Sequence, residues 1–414
     1  MPPISDSLLP TTTGPRLILY AQTHHQNGAP VSLLPLITNQ TGLTHVIVAA
    51  IHLNEGPGNI TLNDDPPEAP KYETLWSEVR LLQGAGIKVM GMLGGAAKGS
   101  YWRLQGSDNE FEAYYAPLRD MIRRHNLDGL DLDVEEEIAL PTLLRLLMRL
   151  RADFGSDFIT TLAPVATALL PNMQLPPTTY TPPLPVLPTD IPSPSAGIPL
   201  TVPHSLPHLS GFSHFALEAG HSSLVNWYNV QFYNGWGDAS KTAFYDAILA
   251  AGWPPSKVVL GVLTNQGNGG SGYVAPRMLE DVVRVLRARK PDAFAGVMGW
   301  EYFNAAPHVG EADMADMEGT LTSQPWEWAQ RLGRVVRTAL PALPGHAEAG
   351  RGVERPSERA SGAGPMPLPE TQVPWPPEKV QQLVDLGFGR PRVVAALNAT
   401  GGDVEVAAGL LFEE

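Results

Sequence analysis

Cysteine is absent from all 414 residues. That excludes disulfides, a thiolate nucleophile and any metal site built on sulfur. The first residues, MPPISDSLLPTTTGPRLILY, contain no basic stretch followed by an apolar one, and no run of about 18 apolar residues occurs anywhere. The expectation is a soluble, cytoplasmic protein that neither crosses a membrane nor enters the classical secretory route. An excess of cations is missing as well. The formal charge of −14 argues against nucleic acid or an anionic membrane surface as the main partner, since both are polyanions. Asn39, Asn59 and Asn398 head glycosylation-type triplets, but these need secretory entry and are expected to be bare.

With 43% hydrophobic residues, the chain has material for one large core and a small second module. After an N-terminal tail (1–14), residues 15–340 alternate β-rich runs with segments of helical period. Strands are expected at 16–21, 45–51, 88–93, 129–134, 158–163, 229–234, 258–263 and 296–302. Helices are expected at 73–83, 109–125, 141–154, 241–251, 277–289 and 325–340, the last opening on Pro325. Eight β/α units in roughly 325 residues predict an α/β fold, a (β/α)8 barrel. Residues 168–208 are too rich in proline for a helix and are expected to form a long loop after strand five, on the catalytic face. Residues 341–376 have the Pro, Gly, Ala, Ser and charge content of a flexible linker, and 377–414 read as a small three-helix domain.

Although only 17% of residues are charged, carboxylates crowd the stretch DGLDLDVEEE, Asp128 to Glu137. Leu130, Leu132 and Val134 alternate there with Asp131, Asp133 and Glu135, the period of a strand. In a barrel the apolar set faces the helix ring, so the acids face inward. Buried carboxylates are costly unless hydrogen-bonded or protonated, which marks them as a functional set. Rising at about 3.3 Å per residue, they reach the C-terminal mouth only at Glu135. Like charges stacked together raise the pKa of at least one member, so Glu135 suits a general acid with Asp133 beneath it as orienter. Glu136 and Glu137 are expected to be loop carboxylates. A calcium loop of EF-hand type is excluded, because leucines replace its polar spacers and its central glycine is missing.

The run Asp128-Gly129-Leu130-Asp131-Leu132-Asp133-Val134-Glu135 resembles the DGxDxDxE signature of glycoside hydrolase family 18, the chitinases and related endo-β-N-acetylglucosaminidases. Gln231-Phe232-Tyr233-Asn234 resembles its strand-six motif, and Trp300 its strand-eight tryptophan. The resemblance spans about residues 15 to 340. It implies a retaining glycosidase assisted by the substrate's 2-acetamido group, an exception to the usual two-carboxylate scheme. It further implies Glu135 as the acid, Asp133 holding the acetamido N–H, Asp131 sharing charge with Asp133, and Tyr233 bonding the acetamido carbonyl. Trp300 would lie beneath the sugar, with Gln231 and Asn234 as polar contacts. No metal or organic cofactor is implied. There are two departures: Met92 stands where the strand-three motif usually has serine, and Asn234 where many members have aspartate.

Residues 378–414 resemble a ubiquitin-associated (UBA) domain, through Leu386-Gly387-Phe388 after a first helix and Leu410-Leu411 after a third. That implies an apolar ubiquitin-binding face made by these five residues. The expected function is hydrolysis of chitin or chitooligosaccharides by an intracellular enzyme with ubiquitin or ubiquitinated proteins as partners. Two rivals stand beside it: cleavage of N-glycans on ubiquitinated glycoproteins in the cytosol, and an inactive sugar-binding adaptor.

Overall fold

The structure is a computed structural model that describes residues 14–183, 197–305, 324–337 and 376–384, together with 393, 397 and 404. The chain divides into two compact units, Met1–Ala342 and Leu343–Glu414.

Eight parallel strands form the first unit: β1 (Arg16–Ala21), β2 (His45–Leu53), β3 (Lys88–Gly94), β4 (Gly129–Asp133), β5 (Ile159–Leu162), β6 (Trp227–Gln231), β7 (Val258–Leu263) and β8 (Gly296–Trp300). Each pairs with the next. β1 pairs with both β2 and β8, which closes the barrel. A one-turn helix at Pro35–Thr38 follows β1. After the remaining strands come α1 (Glu73–Gly84), α2 (Asp108–His125), α3 (Leu140–Phe154), α4 (His214–His221), α5 (Ala243–Ala250), α6 (Pro276–Arg289) and α7 (Pro325–Arg337). α2 shows why such segments start where they do: the Ser107 side chain accepts from the Glu110 N–H while the Glu110 carboxylate takes the Ser107 N–H.

The strand wall separates two apolar compartments. Outside it, Leu17, Leu19, Val46, Leu130 and Leu132 pack with helix residues such as Leu82, Leu118, Leu147 and Val283. Inside lie Ile18, Tyr20, Ile47, Met90, Met92, Trp227 and Met298. Alternate residues of one strand thus enter different compartments, so both faces of the sheet are covered. Burying each leucine or valine fully stabilises the fold by about 1.5–3 kcal/mol, and most of that gain lies in the larger outer compartment.

Four strands end earlier than expected, β5 by one residue at Leu162. β4 stops at Asp133, β6 at Gln231 and β8 at Trp300, so Glu135, Tyr233 and Asn234 stand in loops. Asn234 has a left-handed backbone, φ 57°, which no strand accommodates. Alternation of side chains carries on past the point where ladder hydrogen bonds cease, which is why the sequence pattern overshoots. The described parts of 168–208 include a strand pair that was not expected. Thr178–Tyr180 pairs antiparallel with Leu200–Val202, the β-branched residues supplying what proline withholds, while 184–196 lie outside the described residues. Neither helix α4 nor the antiparallel strand Ile60–Leu62 beside β2 was expected.

In the second unit, α8 (Pro377–Val384) buries Val380 and Leu383, and Val393 and Leu397 are buried too. The predicted linker, except Pro376, lies outside the described residues, as do Leu386, Gly387, Phe388, Leu410 and Leu411. Among the described residues no helix is long and apolar enough to cross a membrane.

Candidate active site

The acids stand on and just beyond β4. Asp131 is fully buried, and its carboxylate accepts three hydrogen bonds: from Tyr20 Oη (2.6 Å), Thr161 Oγ1 (2.5 Å) and Asn229 Nδ2 (3.0 Å). Burial raises its pKa and these donors oppose the rise. The donors come from β1, β5 and β6, so the inward parity of Asp131 is met by inward residues of three other strands. Met92 lies beside Asp131 in the β3–β4 register and supplies no hydroxyl, yet the carboxylate is satisfied without one.

Asp133, two residues higher, accepts from Gln231 Nε2 at 3.1 Å. Its pKa is pushed well up, first by burial and then by the charges of Glu135 and Asp131. The same Gln231 side chain hydrogen-bonds Glu135, whose pKa is raised by burial and restrained by Gln231 and by the charge of Lys98. Burial and mutual repulsion both act to favour a shared proton on this set of three carboxyls. Tyr233 is buried, and burial with the charges of Asp133, Glu135 and Asp131 keeps its phenol protonated, fit to donate.

Two glycines bring β3 close to these groups. Gly94 and Gly95 have φ of +93° and +94°, and a Cβ on Gly94 would come within 2.4 Å of the Asp133 carbonyl oxygen. The Gly95 N–H donates to that same oxygen at 2.9 Å, so the turn off β3 fixes the backbone of Asp133 directly. Glu136 fastens the loop that follows. Its carboxylate accepts from the N–H groups of Gly99 (3.0 Å) and Tyr101 (2.8 Å), the loop role expected of it. Across the mouth, Trp300 ends β8 half-buried, edge-on to Tyr20 at 5.3 Å. Asn234 is exposed and its Oδ1 accepts from the Gly270 N–H at 2.8 Å, which gives it a loop-fastening task.

An open cavity of about 580 Å³ is lined among others by Gln22, His25, His52, Asn54, Asn63 and Lys98; the acids are not among its lining residues, and Lys98, whose charge acts on Glu135, links the two. Glu301 shapes one wall: its carboxylate accepts from the N–H groups of Gln22 (3.0 Å) and Thr23 (2.8 Å) and from the Thr23 hydroxyl. His24, beneath, bonds Ala49 O through Nε2 and is held neutral, its pKa lowered by burial to about 4. Among the described residues no three His, Asp or Glu side chains gather so as to hold a metal ion.

Sequence reasoning brought together Asp131, Asp133, Glu135, Tyr233 and Gln231, but it missed Tyr20, Thr161, Asn229 and Glu301. The signal for the first three was present: a polar residue at inward parity on strands one, five and six.

Residues 16–168 match the family described as glycosyl hydrolases family 18, and 376–411 match the UBA/TS-N domain. The structure of the chitinase ChiC from Aspergillus fumigatus is 50% identical in sequence, covers 76% of this chain and 97% of its own, and superposes with a TM-score of 0.61. This chain belongs to glycosyl hydrolase family 18. A fungal endo-β-N-acetylglucosaminidase of family 18 is 40% identical, with 79% of this chain and 99% of its own covered and a TM-score of 0.64. A family 18 chitinase from Pseudoalteromonas aurantia, 19% identical over 77% of this chain and 99% of its own, shares the fold with a TM-score of 0.52. No curated protein matches. The chain is thus a family 18 glycosidase barrel joined to a UBA domain.

Proposed function

We propose that the barrel is a retaining hydrolase of β-1,4-linked N-acetylglucosamine chains, of chitinase type, that works by substrate assistance. The observation that carries this is the inward ladder of Asp131 and Asp133 leading to Glu135, its lower carboxylates held by Tyr20, Thr161, Asn229 and Gln231 from three other strands. Glu135 gives its proton to the glycosidic oxygen as the 2-acetamido oxygen attacks the anomeric carbon. Asp133 holds the acetamido N–H and balances the positive charge that develops, and Asp131 fixes the charge state of Asp133 from below. The protonated Tyr233 donates to the acetamido carbonyl, Trp300 lies against the sugar's C–H face, and Glu135 then takes a proton from the water that opens the ring intermediate. No metal or organic cofactor takes part in this scheme.

The UBA domain is the reason to carry a second substrate reading. Under it the enzyme trims N-glycans from ubiquitinated glycoproteins in the cytosol, and the 40% identity to an enzyme called an endo-β-N-acetylglucosaminidase favours it. Tethering through ubiquitin would raise the local concentration of such a substrate. Leu386, Gly387, Phe388, Leu410 and Leu411 are the residues proposed to meet ubiquitin. A deciding experiment exposes the full-length protein and Glu135→Gln to chitooligosaccharides and, separately, to a high-mannose glycopeptide, with products weighed by mass spectrometry. Cleaved oligosaccharides support the chitinase reading. Glycan release that leaves one N-acetylglucosamine on the peptide supports the second. Sugar binding without cleavage makes the protein an adaptor.

A further inference from the structure

Trp102 is 68% exposed, a rare state for the largest side chain, which is normally mostly buried. It sits in the loop between β3 and α2, and so on the face of the barrel that carries the acids. The loop is rigidly held on either side of it. Tyr101 and Leu104 are buried, the Tyr101 hydroxyl donates to Leu93 O at 2.7 Å, and the Tyr101 N–H donates to the Glu136 carboxylate at 2.8 Å. Glu136 adjoins Glu135, and Lys98 and Ser100 of the same loop line the cavity. The backbone that carries the indole is therefore anchored to Glu136, the residue next to the acid.

From this placement we infer that Trp102 is a stacking platform for an N-acetylhexosamine unit remote from the scissile bond, and that it sets a preference for long chains. The inference rests on the chitinase reading above. A single indole suits the occupant, because the C–H face of one sugar ring covers one indole and leaves its hydroxyls in water. A protein partner would need a contiguous apolar patch, and here the flanking residues are Lys98, Gly99, Arg103 and Gln105. The other exposed large apolar side chains among the described residues, such as Met173, Ile198 and Met278, belong to other elements. Glu136 ties the Trp102 loop to the segment next to Glu135, so a chain long enough to extend from the acid over that loop would meet Trp102.

The test compares full-length wild type, Trp102→Phe and Trp102→Ala on chitotetraose and chitohexaose. In Trp102→Ala the hexaose-to-tetraose ratio of kcat/KM falls by about tenfold, through KM, and Trp102→Phe lies between. A ratio that stays within about twofold of wild type overturns the inference. A second arm needs no Trp102 variant: chitohexaose is added to the Glu135→Gln protein, and oxidation of Trp102 by N-bromosuccinimide is followed by mass spectrometry of its peptide. Protection supports the platform and equal oxidation overturns it. If wild type cleaves neither oligosaccharide, the chitinase reading falls, while the oxidation arm still decides whether Trp102 takes sugar.

Discussion

Acid should unfold this barrel partly through His214, and replacing that histidine should blunt the effect. His214 opens α4, is 1% exposed, and its Nδ1 has no hydrogen-bond partner among the described residues. Phe212 lies 4.5 Å away, ring to ring, and burial lowers the imidazole pKa from 6.5 to about 3. At neutral pH the ring is uncharged in both states and contributes nothing to pH dependence. Below the unfolded value the unfolded chain binds a proton that the folded one refuses. Stability therefore drops as pH falls through 6.5, and the loss levels off near the folded value. Between about pH 7 and about pH 4 that linkage amounts to about 3 kcal/mol. His214→Leu removes it and leaves a side chain of similar volume in place. Urea unfolding of the barrel at both pH values should show the variant losing about 3 kcal/mol less than wild type on acidification. Equal losses in the two proteins would refute the reasoning. The effect reaches the site, because Ser210 O accepts from the Ile138 N–H at 3.1 Å and Gly211 packs on Glu137, so this segment braces the loop that carries Glu135.

Glu135→Gln should fold as wild type by circular dichroism and lose activity by a factor on the order of 10²–10⁴, the usual worth of a general acid. Thr161→Val deletes one donor to the buried Asp131 carboxylate at nearly constant volume, and denaturant titration should show a loss of about 1.5–3 kcal/mol. Lys98→Met removes the charge that restrains the raised Glu135, so the alkaline limb of the kcat profile should move to higher pH; movement to lower pH would contradict the assigned acid. Gly95→Ala puts a Cβ on a backbone at φ +94° and 3.1 Å from Met92 Cε, and should cost about 1–3 kcal/mol by the same titration.

The barrel and its acids were legible because both rest on periodicity. Strands buried on two faces still alternate, and Leu130, Leu132 and Val134 marked the outer compartment while Asp131 and Asp133 marked the inner one. Inward parity marks Tyr20, Thr161 and Asn229 as facing the bore, but their pairing with the acids was not legible, since no local pattern tells which strand will deliver a donor across a closed barrel. Asn229 lies 98 residues from Asp131 and Tyr20 lies 111. Gln231 shows the same limit from the other side. Its place in a motif suggested a sugar contact; its Nε2 also donates to Asp133 and to Ala163 O at 2.8 Å, an internal role that the motif does not announce. Boundaries at the mouth failed for a further reason, because loops there keep the side-chain parity of the strands they extend.

The same cross-barrel donors tie the acids to strands far along the chain. Asp131 and Asp133 are synthesised well before Thr161, Asn229 and Gln231, and Glu301, which knots the exit of β1 to the end of β8, comes last. A half-barrel of β1 to β4 would have to bury two carboxylates with Tyr20 as their sole side-chain donor, so it gains little by closing early. The buried acids thus make the inner compartment a cooperative unit, since their hydrogen bonds are complete only when strands one, four, five and six stand together.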